Sequence, residues 1–273
     1  MTERFQTKKS LGQHFLTSSA IPRIMCDAAA VEPGDIVVEI GPGTGVLTEE
    51  LLFRGARVIA LEADARAIVV LRERFAETVH DGKLVLFHAD VREMDLSAIA
   101  GLSDHAFKVV ANIPYYLSGL LFRSFLESTL QPSTLVFLVQ KEVAKRITAA
   151  ISKGEKESIL SLSVKAYGKV RYVKTVSKGH FNPPPKVDSA VIAVEDISRE
   201  RFSGLDERLF FELLHLGFGS KRKQLIGNLA KTYERDLLAH IFSTVSLPVS
   251  VRAEDVSLEK WLTLAKLLSV NAK

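Results

Sequence analysis

Val37-Val38-Glu39-Ile40-Gly41-Pro42-Gly43-Thr44-Gly45 runs from a short apolar segment into three closely spaced glycines. The branched residues suit a strand covered on both faces. The glycines let the backbone turn and approach a ligand with no Cβ in the way. A dinucleotide-binding loop would carry G-x-G-x-x-G, but residue 46 is Val, so the third glycine of that pattern is missing. No Lys-Ser/Thr pair follows, so a phosphate-cradling P-loop also fails. The stretch predicts a strand, a ligand-facing loop and a helix start.

Working outward, short runs rich in Val, Ile and Leu recur at Ile36–Ile40, Val58–Leu61, Leu84–His88, Val109–Ala111 and Leu135–Val139, and read as strands. Between them Thr44–Arg54, Asp64–Glu77 and Leu117–Ser128 have helical spacing. Such alternation implies a parallel sheet with right-handed crossovers, a doubly wound α/β fold. Two further strands, near Val170–Val176 and Ala190–Val194, follow the helical pattern Glu157–Tyr167 and suit an antiparallel edge. Past Glu195 only helical patterns remain, at Asp206–Phe218, Lys221–Tyr233 and Leu258–Leu268. The expected organisation is an α/β domain over 1–195 and a small all-α domain over 196–273.

The composition, 273 residues with 47% hydrophobic and 25% charged, is that of an ordinary globular chain. A lone cysteine, Cys26, excludes an intramolecular disulfide framework, fits a reducing cytosol and reads as a small buried residue. No apolar run of 18 residues exists, and the first thirteen residues are polar and basic. A membrane span and a signal peptide are therefore not expected, and the expected location is cytoplasmic. The net charge of +4 is unevenly spread: Lys141 to Lys186 holds eleven Lys/Arg against three acids, a net +8, which leaves −4 elsewhere. That excess suits a phosphate backbone, although a solvated charged face would look the same.

Glu39-x-Gly41-x-Gly43-x-Gly45 resembles motif I of the class I methyltransferases, the Rossmann-like group. The resemblance implies a loop that faces the methionine part and sugar of S-adenosylmethionine. Glu62 ends the second strand, 21 residues after Gly41, and can accept from both ribose hydroxyls. Asp90 ends the third strand and can accept from the cofactor's adenine amine. Alone, either acid could be a helix cap. Beside the glycine loop they read as a cofactor site.

Asn112-Ile113-Pro114-Tyr115 follows the fourth strand and is similar to the N-x-P-Y motif of adenine-N6 methyltransferases. The chemistry explains the residue types. The lone pair of the adenine amine is delocalised into the ring, so two acceptors that bind its two hydrogens free it for attack. Asn112 supplies a side-chain oxygen. Pro114 fixes its own φ and holds Ile113 extended, which aims a main-chain carbonyl. Tyr115 offers a ring for the extruded base.

Three more segments carry a narrower likeness: Lys8-Lys9-Ser10-Leu11-Gly12-Gln13-His14-Phe15-Leu16, Phe181-Asn182-Pro183-Pro184-Pro185-Lys186-Val187-Asp188-Ser189-Ala190-Val191, and Phe218-Gly219-Ser220-Lys221-Arg222-Lys223-Gln224-Leu225. With Gln140 to Arg146 they resemble the ribosomal RNA adenine dimethylase family over nearly the whole chain, nearest to its small-subunit (16S) branch. The resemblance implies cofactor contacts at His14, Leu16, Gly41, Gly43, Glu62, Asp90 and Asn112. It implies catalytic roles for Asn112, Pro114 and Tyr115, with Phe181 packing against the target base beside or opposite Tyr115. It also implies RNA contacts at Lys8, Lys9, Lys141, Lys145, Arg146, Lys186, Lys221, Arg222 and Lys223.

The implied substrate is two adjacent adenosines, each dimethylated, in a hairpin loop near the 3′ end of 16S rRNA in the small ribosomal subunit. A monomer with no metal is expected, with a role in subunit biogenesis. One departure stands out: Tyr116-Leu117-Ser118 occupies the place where the family often has Asn-Ile/Val-Ser. The competing readings are the large-subunit, antibiotic-resistance branch, a DNA adenine methyltransferase, and a non-catalytic assembly or transcription factor on the same fold.

Overall fold

The apolar runs become strands, and the segments between them wind back over the sheet. The computed structural model describes residues 14–93, 96–99 and 101–271; Lys8 and Lys9 lie outside them. In chain order the elements are β1 (Phe15–Leu16), α1 (Ala20–Ala28), β2 (Ile36–Ile40), α2 (Val46–Phe53), β3 (Arg57–Glu62), α3 (Ala65–Arg74), α4 (Ala76–His80), β4 (Leu84–His88), β5 (Lys108–Asn112), α5 (Ser118–Leu126), β6 (Thr134–Gln140), α6 (Lys141–Thr148), α7 (Ile159–Tyr167), β7 (Lys169–Val176), β8 (Phe181–Asn182), β9 (Ser189–Glu195), α8 (Glu207–Gly217), α9 (Leu225–Leu229), α10 (Arg235–Thr244) and α11 (Leu258–Asn271).

The sheet order is β4-β3-β2-β5-β6-β9-β7. Pairings from β4 through β6 are parallel, and β9 runs antiparallel to both β6 and β7. The antiparallel strand is thus internal and the edge is β7. Burial agrees: β9 is buried at all but its last residue, whereas β7 is largely open. The chain leaves β2 towards β3 on one side and returns to β5 on the other. This reversal of direction leaves a crevice at the carboxyl ends of β2 and β5, where ligands bind in open α/β sheets.

The chain groups into two compact units, residues up to 144 with 169–197, and 145–168 with 198 onwards. Residues 145–168, on the near side of the break in pattern at 195, therefore belong with the C-terminal helices. Within that second unit the Glu157 N–H donates to the Glu254 carbonyl at 2.9 Å, and Lys156 pairs with Glu254 and Asp255. Ser158 caps α7 by accepting from the Ser161 N–H at 3.1 Å, and Asp206 caps α8 by accepting from the Arg208 N–H at 2.9 Å. The core gathers Trp261, Phe210, Phe242, Leu213 and Leu264, all fully buried.

The helix expected over Lys221–Tyr233 shrinks to α9. Buried Asn228 donates to the carbonyls of Gly217 and Ser220, at 2.6 and 3.2 Å, and so holds a turn through 217–220. Gln224 is extended, with φ −61° and ψ 147°, so helical geometry begins only at Leu225 and Lys221, Arg222 and Lys223 stay in the turn.

Glu39 ties the glycine loop's helix to the sheet. Its Oε2 accepts from the Thr48 hydroxyl at 2.7 Å, both residues being buried. Burial is the main reason that its carboxyl is pushed up to about 8; the Thr48 hydrogen bond opposes this, and neighbouring Glu62 adds to it. The folded protein therefore keeps this proton to about pH 8, while the unfolded chain releases it near 4.5. Across that window the unfolded state binds fewer protons, so stability falls as pH rises. Glu39→Gln keeps an oxygen for Thr48. Urea unfolding from pH 5 to 8.5 should show it removing a slope of up to about 1.4 kcal/mol per pH unit.

Gly217 is close-packed: a Cβ there would lie 2.4 Å from Trp261 Cη2 and 2.8 Å from Leu225 Cδ1. Gly217→Ala should cost about 1–3 kcal/mol by overpacking, read as a lowered unfolding midpoint.

Candidate active site

Three strand ends and one turn supply the site. Gly41 follows β2 at φ +65°, and its N–H donates to the Leu61 carbonyl at 2.9 Å. Gly43, at φ +57°, has no room for a side chain, since a Cβ would stand 2.6 Å from the ring of Phe15. Its N–H donates to Glu62 Oε2 at 3.0 Å, and the Asp64 N–H donates to Glu62 Oε1 at 2.9 Å. Glu62 is only 5% exposed, and burial raises its pKa against the pull of these two N–H groups. Each oxygen keeps a further lone pair for a ligand hydroxyl.

Gly41, Gly43 and Glu62 line a cleft of about 870 Å³, counted out to its open mouth, together with Asp90, Arg92, Asn112, Tyr115 and Tyr116. Asp90 is held by Arg92 through its main-chain N–H, Nε and Nη2. The guanidinium keeps its carboxyl below the ordinary carboxylate range.

Asn112, at the end of β5, is fixed by its amide nitrogen. Nδ2 donates to the His14 carbonyl at 3.0 Å. A carbonyl can only accept, so the nitrogen must face His14 and the side-chain oxygen the other way. His14 is fixed in turn, with Nδ1 donating to the Pro183 carbonyl at 2.8 Å. Its ring stacks on Tyr115 with centroids 5.8 Å apart and planes 26° from parallel. The Tyr115 hydroxyl shares a 2.6 Å hydrogen bond with Ser189 Oγ, and burial raises its pKa.

Within the turn, the Pro114 carbonyl accepts from the Leu117 N–H at 2.9 Å, and the Tyr115 carbonyl accepts from the Ser118 hydroxyl at 2.8 Å. Ile113, which precedes Pro114, contributes a main-chain acceptor that neither bond uses, and it lines the cleft.

The structure brings together His14, Gly41, Gly43, Glu62, Asp90, Asn112, Pro114 and Tyr115. It does not bring Leu16 or Phe181 to the cleft. The two are register partners in the antiparallel β1–β8 pair, so their side chains share a face. Both are buried in the hydrophobic core, at 6% and 4% exposure. Alternation sends Phe15 to the cleft instead. The proline-rich segment therefore acts on the site through Pro183 and Ser189. Ile113 and Tyr116, both noted in the sequence, also line the cleft, and Phe15 and Arg92 join them without a reading of their own; of these two Phe15 has a usable signal, one residue from His14 in the same motif.

The basic candidates scatter. Lys186 is exposed and Lys141 lies 3.9 Å from Asp188, both in the first unit. Lys145, Arg146, Lys221, Arg222 and Lys223 are exposed in the second. Much of the +8 window is engaged locally, as in Lys165 with Glu157, Lys169 with Asp196 and Arg171 with Glu195. Cys26 is fully buried, and that burial pushes its thiol up to about 12. Among the described residues, no helix is long and apolar enough to cross a membrane, and no cluster of His, Cys, Asp and Glu could hold a metal ion.

Comparison with known proteins agrees with this geometry. The family model for ribosomal RNA adenine dimethylases matches residues 4–269. The ribosomal RNA small subunit methyltransferase A of Dehalococcoides mccartyi strain CBDB1 is 39% identical over 95% of this chain and 87% of its own. The protein of that name from Synechocystis is 36% identical over 97% of each chain. Among solved structures, a dimethyladenosine transferase from Plasmodium falciparum matches with a TM-score of 0.79 and 25% identity, over 95% of this chain and 98% of its own. The 23S rRNA methyltransferase ErmE shares the fold at a TM-score of 0.71 and 24% identity, over 93% and 99% of the two chains. A match spanning nearly every residue, laid over a cleft with these strand-end acids and this clamped asparagine, makes the chain a member of the ribosomal RNA adenine dimethylase family.

Proposed function

We propose that the protein transfers methyl groups from S-adenosylmethionine to the exocyclic amine of adenosine in small-subunit (16S) ribosomal RNA. The substrate is two adjacent adenosines of a hairpin loop near the 3′ end, each dimethylated. The observation that carries this is the Asn112 amide: its nitrogen is committed to His14, so its oxygen is left as an acceptor in the cleft.

S-adenosylmethionine supplies an electrophilic methyl group on a sulfonium. The residues present fit it. Glu62 has acceptor capacity for ribose hydroxyls, Asp90 can accept from an adenine amine beside Arg92, and the Gly41–Gly43 loop leaves main chain open to the ligand. His14 belongs to this site through its backbone and ring; Leu16 supports it from the core.

Asn112 Oδ1 and the Ile113 carbonyl take the two amine hydrogens and hold the nitrogen towards tetrahedral geometry. Tyr115 stacks on the extruded base, its hydroxyl held by Ser189. Phe181, behind the His14 strand, buttresses this arrangement. No strong base is required, because the methylated amine is acidic and sheds its proton readily. Alignment at near-attack distance supplies most of the acceleration. Lys8, Lys9, Lys141, Lys145, Arg146, Lys186 and the exposed turn 221–223 are the cations offered to the RNA backbone. A monomer acting in the cytoplasm during subunit assembly completes the reading.

Incubation with labelled cofactor and under-methylated small subunits, followed by mapping, should find the label on two neighbouring adenine amines; unlabelled adenines would overturn the proposal. Asn112→Ala should lower turnover roughly 10²–10³-fold, the scale of losing one polar group that acts on the reacting centre. Affinity of the same variant for RNA should hold, as judged by filter binding.

Tyr115 separates ring from hydroxyl. Tyr115→Phe should retain most activity, while Tyr115→Ala should lose roughly 10- to 100-fold in kcat/KM for RNA, the scale of one stacked base.

A further inference from the structure

Tyr115, Tyr116 and Leu117 form a single 3₁₀ turn. Such a turn holds about three residues, so its successive side chains point in three different directions. Tyr115 turns inward to His14 and Ser189, and Leu117 is buried at 9% exposure. Tyr116 points outward, 63% exposed, and yet it lines the cleft. A large aromatic ring held at a cleft mouth with most of its surface in water is not a packing residue. Leu120, four residues on, is 44% exposed, and Arg92, 52% exposed at its side chain, lines the same mouth. The Arg92 guanidinium is committed to Asp90, so the group left open on this side is the Tyr116 ring, a face on which a base of a single strand can stack.

We propose that Tyr116 is the stacking platform for the nucleotide adjacent to the target adenosine. This rests on the RNA-methylating function proposed above. Glu62, the ribose anchor, is buried at its strand end, whereas Tyr116 lines the same cleft with most of its surface open to water and to an incoming strand. A flipped adenine brings its neighbour to that mouth, one phosphodiester away. Tyr116 thus offers a ring face to whichever base stands next to the methylated one, a face that an asparagine does not have.

The test uses the full-length protein, S-adenosylhomocysteine, and a hairpin RNA with two adjacent loop adenosines. One version of the RNA carries 2-aminopurine at the position flanking the target. Tyr116→Ala and Tyr116→Asn should bind the RNA roughly 10-fold or more weakly, and Tyr116→Phe should match the wild type. Affinity for S-adenosylhomocysteine should stay within about twofold in all three, because one stacked base is lost and nothing else. The flanking 2-aminopurine should be quenched by the wild type and the Phe variant only. Unchanged RNA affinity in Tyr116→Ala, equal loss of RNA and S-adenosylhomocysteine affinity, or a flanking probe left bright by the wild type would each overturn the proposal. These readouts do not depend on turnover. A wild type that binds this RNA but methylates no adenine would instead sink the function proposed above.

Discussion

The site depends on one hydrogen bond, from the Asn112 amide nitrogen to the carbonyl of His14. A primary amide carries both a donor and an acceptor, and either could face a ligand. The carbonyl removes that freedom, because it offers no hydrogen to the amide oxygen. Its position is itself secured by the His14 ring, which donates to Pro183 and stacks on Tyr115. Strand β1, the proline-rich segment and the turn after β5 are thus joined through two main-chain carbonyls. The amide and the two carbonyls carry no net charge, so the bonds between them are specified by geometry and are little affected by ionic strength.

The opposite side of the cleft is built on different physics. Gly43 is forced by sterics from Phe15 and by a positive φ, and its N–H is then free to meet Glu62. A buried carboxylate would be costly without such partners, and two main-chain donors offset the cost. Asp90 is more open and is satisfied by Arg92. The cleft therefore joins a rigid, buried acceptor at Glu62 to an adaptable one at its mouth.

Legibility in the sequence followed the range of the interactions. The sheet strands could be read because apolar runs covered on both faces are a local signal, and so could Gly41, Glu62, Asp90 and Asn112, which follow strand ends. The β1–β8 pair could not be read: its strands are two residues each and lie 165 positions or more apart, with only the register of Leu16 against Phe181 to reveal them. That register decides that Phe181 faces the core, which no local pattern contains. Helix α1, which the sequence reading does not include, carries Pro22 in its first turn, where a helix tolerates proline. The turn at 221–223 falls inside the helical pattern of Lys221–Tyr233; the buried Asn228 that holds the preceding turn acts through tertiary hydrogen bonds, which no local pattern contains.

Electrostatics gives the last link. Transfer from a sulfonium disperses a positive charge, so a carboxylate facing the reacting centre would stabilise the starting state more than the transition state. Glu39 stands directly behind the glycine loop, but burial keeps it protonated at neutral pH. Its charge is withdrawn where it would act on the loop, while its oxygen still holds Thr48. Glu62 keeps its partners on the loop side, and the groups nearest the acceptor nitrogen are an amide oxygen and a peptide carbonyl. Catalysis in such a cleft rests on placement: neutral acceptors shape the nucleophile, stacked rings hold the base, and the charged residues are kept for binding.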